Sequence, residues 1–345
     1  MKELRIGIIG LMGYGATYFK TIDSIEGARV TALCDTREDV LAREAAKHGI
    51  ERTYTDYHQL VEDDQVDAVF IATPHFLHHA MTMASIKAGK HVFCEKPLAM
   101  NAKEAFEMVE AAKAAGVKLG THYNRRQSSH VKMIKKAVSE GKLGDVYAFN
   151  AKWMARYTAF MFSPDSAWRI DKKKAGGGIL IGRGSHMIDA ALHILGNPLV
   201  LSVKANVSNR LCGFSVDDYA MVMLGLEGGS TITVECSYEA HLADYQEKIE
   251  YEAFGTKAGI YAVEQDGQGS FQMGACAFPN NEWIAADPMD PDDFVNEYPT
   301  SIIADFVDAV LNDRTPLVDG VAGANVTAIL DAAFRSAESG REILL

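Results

Sequence analysis

The chain has 345 residues, 48% of them hydrophobic, and a formal net charge of −12. That is enough apolar material for a large core, with room for two domains. The acidic balance argues against a surface that tracks a phosphate backbone, so no nucleic-acid partner is expected.

The opening Met1-Lys2-Glu3-Leu4-Arg5 runs straight into an apolar strand pattern without a signal core. No stretch approaches the roughly 20 apolar residues of a membrane span, so a cytoplasmic protein is expected. Short apolar runs at Leu4 to Ile9, Arg29 to Cys34, Ala68 to Ala72, His91 to Cys94 and Lys118 to Thr121 read as strands. Helical patterns at Asp39 to His48, His78 to Ala88 and Ala102 to Ala115 separate them. Strands alternating with helices predict an α/β layer with a doubly wound parallel sheet over residues 1–121. After a helix at Ser128 to Glu140 the rhythm changes. Val146 to Trp153, Leu199 to Val207, Asp218 to Leu226, Ser230 to Tyr238, Lys248 to Phe254 and Gly259 to Val263 alternate as strands do, with turns such as Glu227-Gly228-Gly229 between them. Residues 122–345 therefore read as an α+β domain with a large, mainly antiparallel sheet, closed by helices at Ile302 to Leu311 and Val321 to Ser339. The acidic, proline-broken run Asp287 to Asp293 reads as a solvated turn. The five cysteines, Cys34, Cys94, Cys212, Cys236 and Cys276, show no metal-ligand spacing and are expected to be reduced, so no metal is expected.

The segment Gly7-Ile8-Ile9-Gly10-Leu11-Met12-Gly13-Tyr14-Gly15-Ala16 lies where a first strand turns into a first helix. Glycines there let backbone amides and a helix N-terminus approach a pyrophosphate, which is the content of the Rossmann dinucleotide fingerprint. Met12 replaces its second glycine and must point away from the phosphates. Asp35, 20 residues beyond Gly15 and at a strand end, reads either as the acceptor of ribose hydroxyls or as a helix N-cap. The first reading favours NAD, while the neighbouring Arg37, beside Thr36, leaves NADP open. Ile71-Ala72-Thr73-Pro74-His75 and Cys94-Glu95-Lys96-Pro97 fall at two further strand ends, where ligands bind in open α/β sheets.

These motifs, with His78 and the run from Gly176-Gly177-Gly178 to His186-Met187-Ile188-Asp189, resemble the glucose-fructose oxidoreductase/inositol dehydrogenase (Gfo/Idh/MocA) family along essentially the whole chain. The resemblance implies hydride transfer between NAD and a secondary alcohol or ketone of a sugar, cyclitol or related small molecule. By it, Lys96 touches the nicotinamide ribose and stabilises the reacting oxygen, and His186 is the general acid/base. It places the cofactor on Gly10, Met12, Gly13, Tyr14, Gly15, Asp35, Thr36 and Arg37, on Thr73, Pro74, His75 and His78, and on Glu95, Lys96 and Asn124. It places substrate near Tyr123, Arg125, Tyr157, Trp168, Arg169 and Arg183, besides Lys96 and His186; Trp168 packing and Arg169 in a salt bridge is the structural alternative. Asp189 orients the His186 ring or supports its helix, and His193 packs.

The sequence departs from the family pattern at one place. An aspartate usually stands four residues before the histidine; here that residue is Gly182. Asp165, Asp171 and Tyr157 are candidate replacements, and Arg183 is a candidate for an anionic substrate. The same resemblance admits two other functions: cleavage of a glycoside by oxidation, elimination and reduction with NAD retained, and a non-catalytic sugar sensor. It also implies a homodimer or homotetramer formed through the C-terminal sheet.

Overall fold

The structure, a computed structural model, describes residues 3–156, 164–240, 246–277, 282–285 and 301–345. The chain divides into two compact units: Met1–Tyr123 with Lys173–Gly176 and Pro299–Ala328, and Asn124–Lys172 with Gly177–Tyr298 and Ile329–Leu345. Tyr157 and the acidic run 287–293 lie outside the described residues. Among the described residues no helix is long and apolar enough to cross a membrane, and no group of three or more His, Cys, Asp or Glu is placed to hold a metal ion.

In the first unit, β1 (Leu4–Ile9), β2 (Ala28–Cys34), β3 (Arg52–Tyr54), β4 (Ala68–Ile71), β5 (His91–Cys94) and β6 (Leu119–Thr121) form a parallel sheet in the order β3-β2-β1-β4-β5-β6. The order reverses between β1 and β4, so the chain leaves these neighbouring strands in opposite directions and opens a crevice at their carboxyl ends. Helices α1 (Gly15–Ile22), α2 (Glu38–His48), α3 (Tyr57–Val61), α4 (His78–Lys87) and α5 (Ala102–Ala115) make the crossovers. β4 buries all four of its residues, the mark of a strand covered on both faces. The strand β3 and helix α3 escape sequence reading because Arg52-Thr53-Tyr54 is a polar edge strand of three residues with no apolar run.

The returning segment supplies the helix Ile302–Leu311, whose Phe306 ring packs 5.2 Å from Phe93 and 5.8 Å from Phe70. Gly120 makes that possible: a Cβ there would stand 2.7 Å from the Phe306 ring.

In the second unit, β7 (Val146–Ala155), β8 (Val200–Ser208), β9 (Tyr219–Leu226), β10 (Thr231–Ser237), β11 (Glu247–Gly255), β12 (Gly259–Gln265), β13 (Gln268–Ala277), β14 (Glu282–Ala285) and β15 (Ile343–Leu344) form one sheet in the order β14-β13-β12-β11-β7-β10-β9-β8-β15. Every pairing is antiparallel except β7 with β10. Phe149, Ala151 and Trp153 of β7, Ile232 and Val234 of β10, and Ile249 and Tyr251 of β11 are buried on the inner face. Helices α6 (Ser129–Ser139) and α7 (Ser185–Ile194) belong to this unit, and a π-turn, Leu180–Gly184, leads into α7. All ten residues of α7 are buried, so it is a core helix without a solvent-exposed face.

Truncating a buried aromatic removes its transfer energy and leaves a cavity. Phe306→Ala is therefore expected to lower the unfolding free energy by about 3 to 5 kcal/mol. Urea denaturation measures it, and a change below about 1 kcal/mol would show that the ring does not carry this layer.

Candidate functional site

The glycine loop of the first unit is shaped by two close approaches. Gly10 has φ +89°, and a Cβ on it would stand 2.6 Å from the Ala72 carbonyl oxygen; a Cβ on Gly15 would overlap the Gly10 carbonyl. Only glycine lets the β1 end, the β4 end and the start of α1 come this near. Gly13 has nothing within 4 Å of where a Cβ would stand, so the loop presents open backbone at the N-terminus of α1. Met12 is half-buried and Tyr14 is 43% exposed.

Asp35 follows β2 directly. Its Oδ2 accepts from the Leu11 N–H at 2.9 Å and its Oδ1 from the Arg37 N–H at 2.9 Å. The helix N-cap is Arg37, so of the two readings of Asp35 the capping one is not realised. The carboxylate ties the glycine loop to the β2 end, and each oxygen keeps a further lone pair. Arg37 lies against Asp39 at 3.0 Å, while Thr36 is exposed.

Two more loops meet at the same sheet edge. The His78 ring, fully buried, lies with Nδ1 2.8 Å from the Pro97 oxygen and Nε2 3.0 Å from the Thr73 oxygen, which makes it a strut between the Thr73-Pro74 and Lys96-Pro97 turns. Burial pushes its pKa down. His75 Nδ1 lies 2.8 Å from the Ala175 oxygen. Glu95 is buried at the end of β5; its Oε1 accepts from the Tyr18 hydroxyl at 2.6 Å and pairs with His122 Nδ1 at 2.7 Å. Burial pushes the carboxyl up, but His122, the Tyr18 hydroxyl and Lys96 outweigh it and hold Glu95 down at about 2. Lys96 follows, half-buried, with a cis peptide to Pro97. Glu95 thus anchors the backbone that presents the Lys96 ammonium. Tyr123 is fully buried.

In the second unit the Asp217 carboxylate accepts from the N–H groups of Gly178 at 2.7 Å and Leu180 at 2.8 Å, pinning the glycine run that enters the π-turn. His186 lies on α7, its ring 6.1 Å from Trp153 of β7. The Arg183 guanidinium stands 4.4 Å and the Arg125 guanidinium 4.9 Å from the Trp153 ring, and Arg125 also pairs with Glu264 at 3.1 Å. Asn124 is exposed beside Arg125.

Asp189 settles its two readings. Its carboxylate takes two bonds from Arg126, at 2.6 and 2.9 Å, both groups being buried, so it supports the helix. His193 is buried, and its carbonyl accepts from Lys135. Arg169 stacks on Trp168 at 4.5 Å and donates to the Ser166 hydroxyl. Asp165 belongs to the turn Pro164–Ile170, and Asp171 follows it.

Sequence reading missed Tyr18, His122, Trp153 and Asp217. None sits in a recognisable motif; each acts through a partner between 27 and 94 residues away, as His122 does with Glu95 and Trp153 with Glu247.

Residues 4–123 match the family described as "Oxidoreductase family, NAD-binding Rossmann fold", and residues 131–261 match "GFO/IDH/MocA C-terminal domain". The chain is 34% identical over 262 residues to myo-inositol 2-dehydrogenase of Thermotoga maritima, covering 75% of each chain. It is 28% identical over 339 residues to 1,5-anhydro-D-fructose reductase of Ensifer adhaerens, covering 98% of this chain and 97% of that one. Among solved structures, a probable dehydrogenase from Thermotoga maritima superposes with a TM-score of 0.80 at 29% identity, over 99% of this chain and 98% of the other.

The depressed Glu95 contributes stability that is fully present above the unfolded carboxyl pKa of about 4.3 and is lost as pH falls toward its folded value. In Glu95→Gln the fall in melting temperature between about pH 5 and pH 2.5 is expected to be shallower than in the parent protein, from a lower value at pH 7. Calorimetry across that range measures both, and equal slopes would remove Glu95 as the buried anchor.

Proposed function

The chain belongs to the Gfo/Idh/MocA oxidoreductase family, and on that premise we propose that it moves a hydride between NAD and a secondary alcohol or ketone of a sugar, cyclitol or related small molecule. The observation that carries this reading is the Glu95-Lys96-Pro97 turn, where a buried, hydrogen-bonded carboxylate fixes the backbone of a half-buried lysine at the carboxyl edge of the parallel sheet.

The first unit fits a dinucleotide. The loop Gly10 to Gly15 offers backbone N–H groups to a pyrophosphate, and Asp35 retains lone pairs for the adenosine ribose hydroxyls. Its charge repels a 2'-phosphate, and Arg37 is turned onto Asp39, which favours NAD over NADP. When bound, the nicotinamide accepts or returns the hydride. Lys96 stabilises the negative charge that develops on the substrate oxygen as its C–H bond breaks. His186 removes the hydroxyl proton in oxidation and gives it back in reduction. Arg183, Arg125 and Trp153 bind and orient the substrate's other oxygens and ring face.

The test is NADH absorbance with purified protein, NAD or NADP, and a panel of cyclitols, free sugars, glycosides and sugar acids. The parent protein is expected to reduce NAD with at least one of them. Lys96→Ala and His186→Ala are each expected to lower kcat/KM by about 10²- to 10⁴-fold. Product formed without NADH accumulation would instead support elimination chemistry, and cofactor binding without any turnover a sensor.

We also propose a second copy of this chain as the cover for the outer sheet face, where Met221 is 43%, Met223 47% and Phe254 38% exposed. Sedimentation of the parent is expected to give a dimer or tetramer that Met221→Glu/Met223→Glu shifts toward monomer; a monomeric parent would overturn this.

A further inference from the structure

The structure assigns Tyr238 as a positioning residue of the reaction, its phenol hydroxyl standing in for the aspartate that the family pattern has at position 182. The inference rests on the oxidoreductase reading above and specifies which group stands in place of that aspartate.

Gly182 lies in the π-turn one turn before His186, and residues four apart on a helix share a face. A Cβ built on Gly182 would overlap the Tyr238 hydroxyl oxygen; the next atoms it would meet are Cζ at 3.4 Å and Cε1 at 3.8 Å of the same ring. The tip of the phenol therefore lies where a side chain at 182 would begin, and an aspartate at 182 excludes this placement of Tyr238. The tyrosine is fixed: it is 7% exposed, it follows β10, and its N–H donates to the Asp218 oxygen at 2.8 Å. Position 182 is fixed as well, since Asp217 holds the N–H groups of Gly178 and Leu180, and the Gly182 N–H donates to the Gly178 oxygen at 2.8 Å.

The replacement preserves hydrogen bonding and changes charge. A carboxylate accepts only; a phenol donates as well. The groups that act on Tyr238 are Asp217, Arg183, Arg169 and Cys236. Burial and Asp217 push its pKa up, against a smaller pull from the two arginines, so it is neutral throughout the range in which a histidine titrates. Through the face that Gly182 shares with His186 it positions His186 without adding a negative charge. A carboxylate one turn away would raise the histidine pKa; the phenol does not.

The experiment measures kcat/KM against pH, with thermal melts, for the parent, Tyr238→Phe, Gly182→Asp and the double variant Gly182→Asp/Tyr238→Ala. Tyr238→Phe keeps the ring, so it is expected to melt with the parent while losing about tenfold in kcat/KM. Gly182→Asp alone is expected to lose both melting temperature and activity through its clash with the phenol. The double variant, with room for the carboxylate, is expected to recover activity relative to Gly182→Asp and to carry its histidine limb about one pH unit higher than the parent. A Tyr238→Phe protein with the parent's kcat/KM and pH profile, or a double variant no better than Gly182→Asp, overturns the assignment while the parent's turnover leaves the oxidoreductase reading intact. A parent that binds NADH but turns over no substrate removes both.

Discussion

A carboxylate enters a protein interior only when the hydration it loses is replaced by bonds of comparable strength. Glu95 meets that demand with one oxygen shared by the Tyr18 hydroxyl and His122. The consequences run outward from there. Tyr18 ties α1, and with it the glycine loop, to the end of β5; His122 ties the end of β6 to the same point. The lysine that follows is presented by backbone that cannot shift without breaking a buried charge network. The fold positions Lys96 by making its neighbour expensive to move.

The second unit uses the same device twice. Asp217 gathers the N–H groups of the glycine run, and Asp189 locks α7 to Arg126, both from buried positions. The His186 ring is thereby carried on a helix held at its entrance by one carboxylate and at its middle by another. A rigid carrier of this kind suits the acid/base role proposed for His186, since proton transfer depends steeply on distance.

Much of this was legible in the sequence, and the reason differs from place to place. β1 and β5 and the helix Ile302–Leu311 fall where apolar periodicity puts them, because each buries a continuous or regularly spaced apolar set. The edge strand β3 is too short and too polar to leave such a trace, β15 has only two residues, and β13 is rich in glycine and polar residues. In the site, Lys96 and His186 are singled out by the family resemblance, whereas Gly10 and Asp35 are readable because their spacing along the chain encodes local geometry. Tyr18, His122, Asp217 and Tyr238 are not, because what they do depends on partners that only the tertiary structure brings near. Asp35 shows the intermediate case: its position was readable, but only the structure, with Arg37 at the helix N-cap and the Leu11 N–H on the carboxylate, separates a loop clamp from a helix cap.

The complete burial of α7 has a consequence for how a scaffold of this kind changes over evolutionary time. A helix with no residue at the surface has almost no tolerance for drift, since any substitution along Ser185–Ile194 alters core packing. New substrate preferences must then arise from residues that reach toward the helix from elsewhere, chiefly the strand residues and loop arginines around it. The exchange of a helix-borne side chain for one lent by the end of β10 is a change of that sort: the inherited machinery stays fixed while the adjustable part migrates to the sheet.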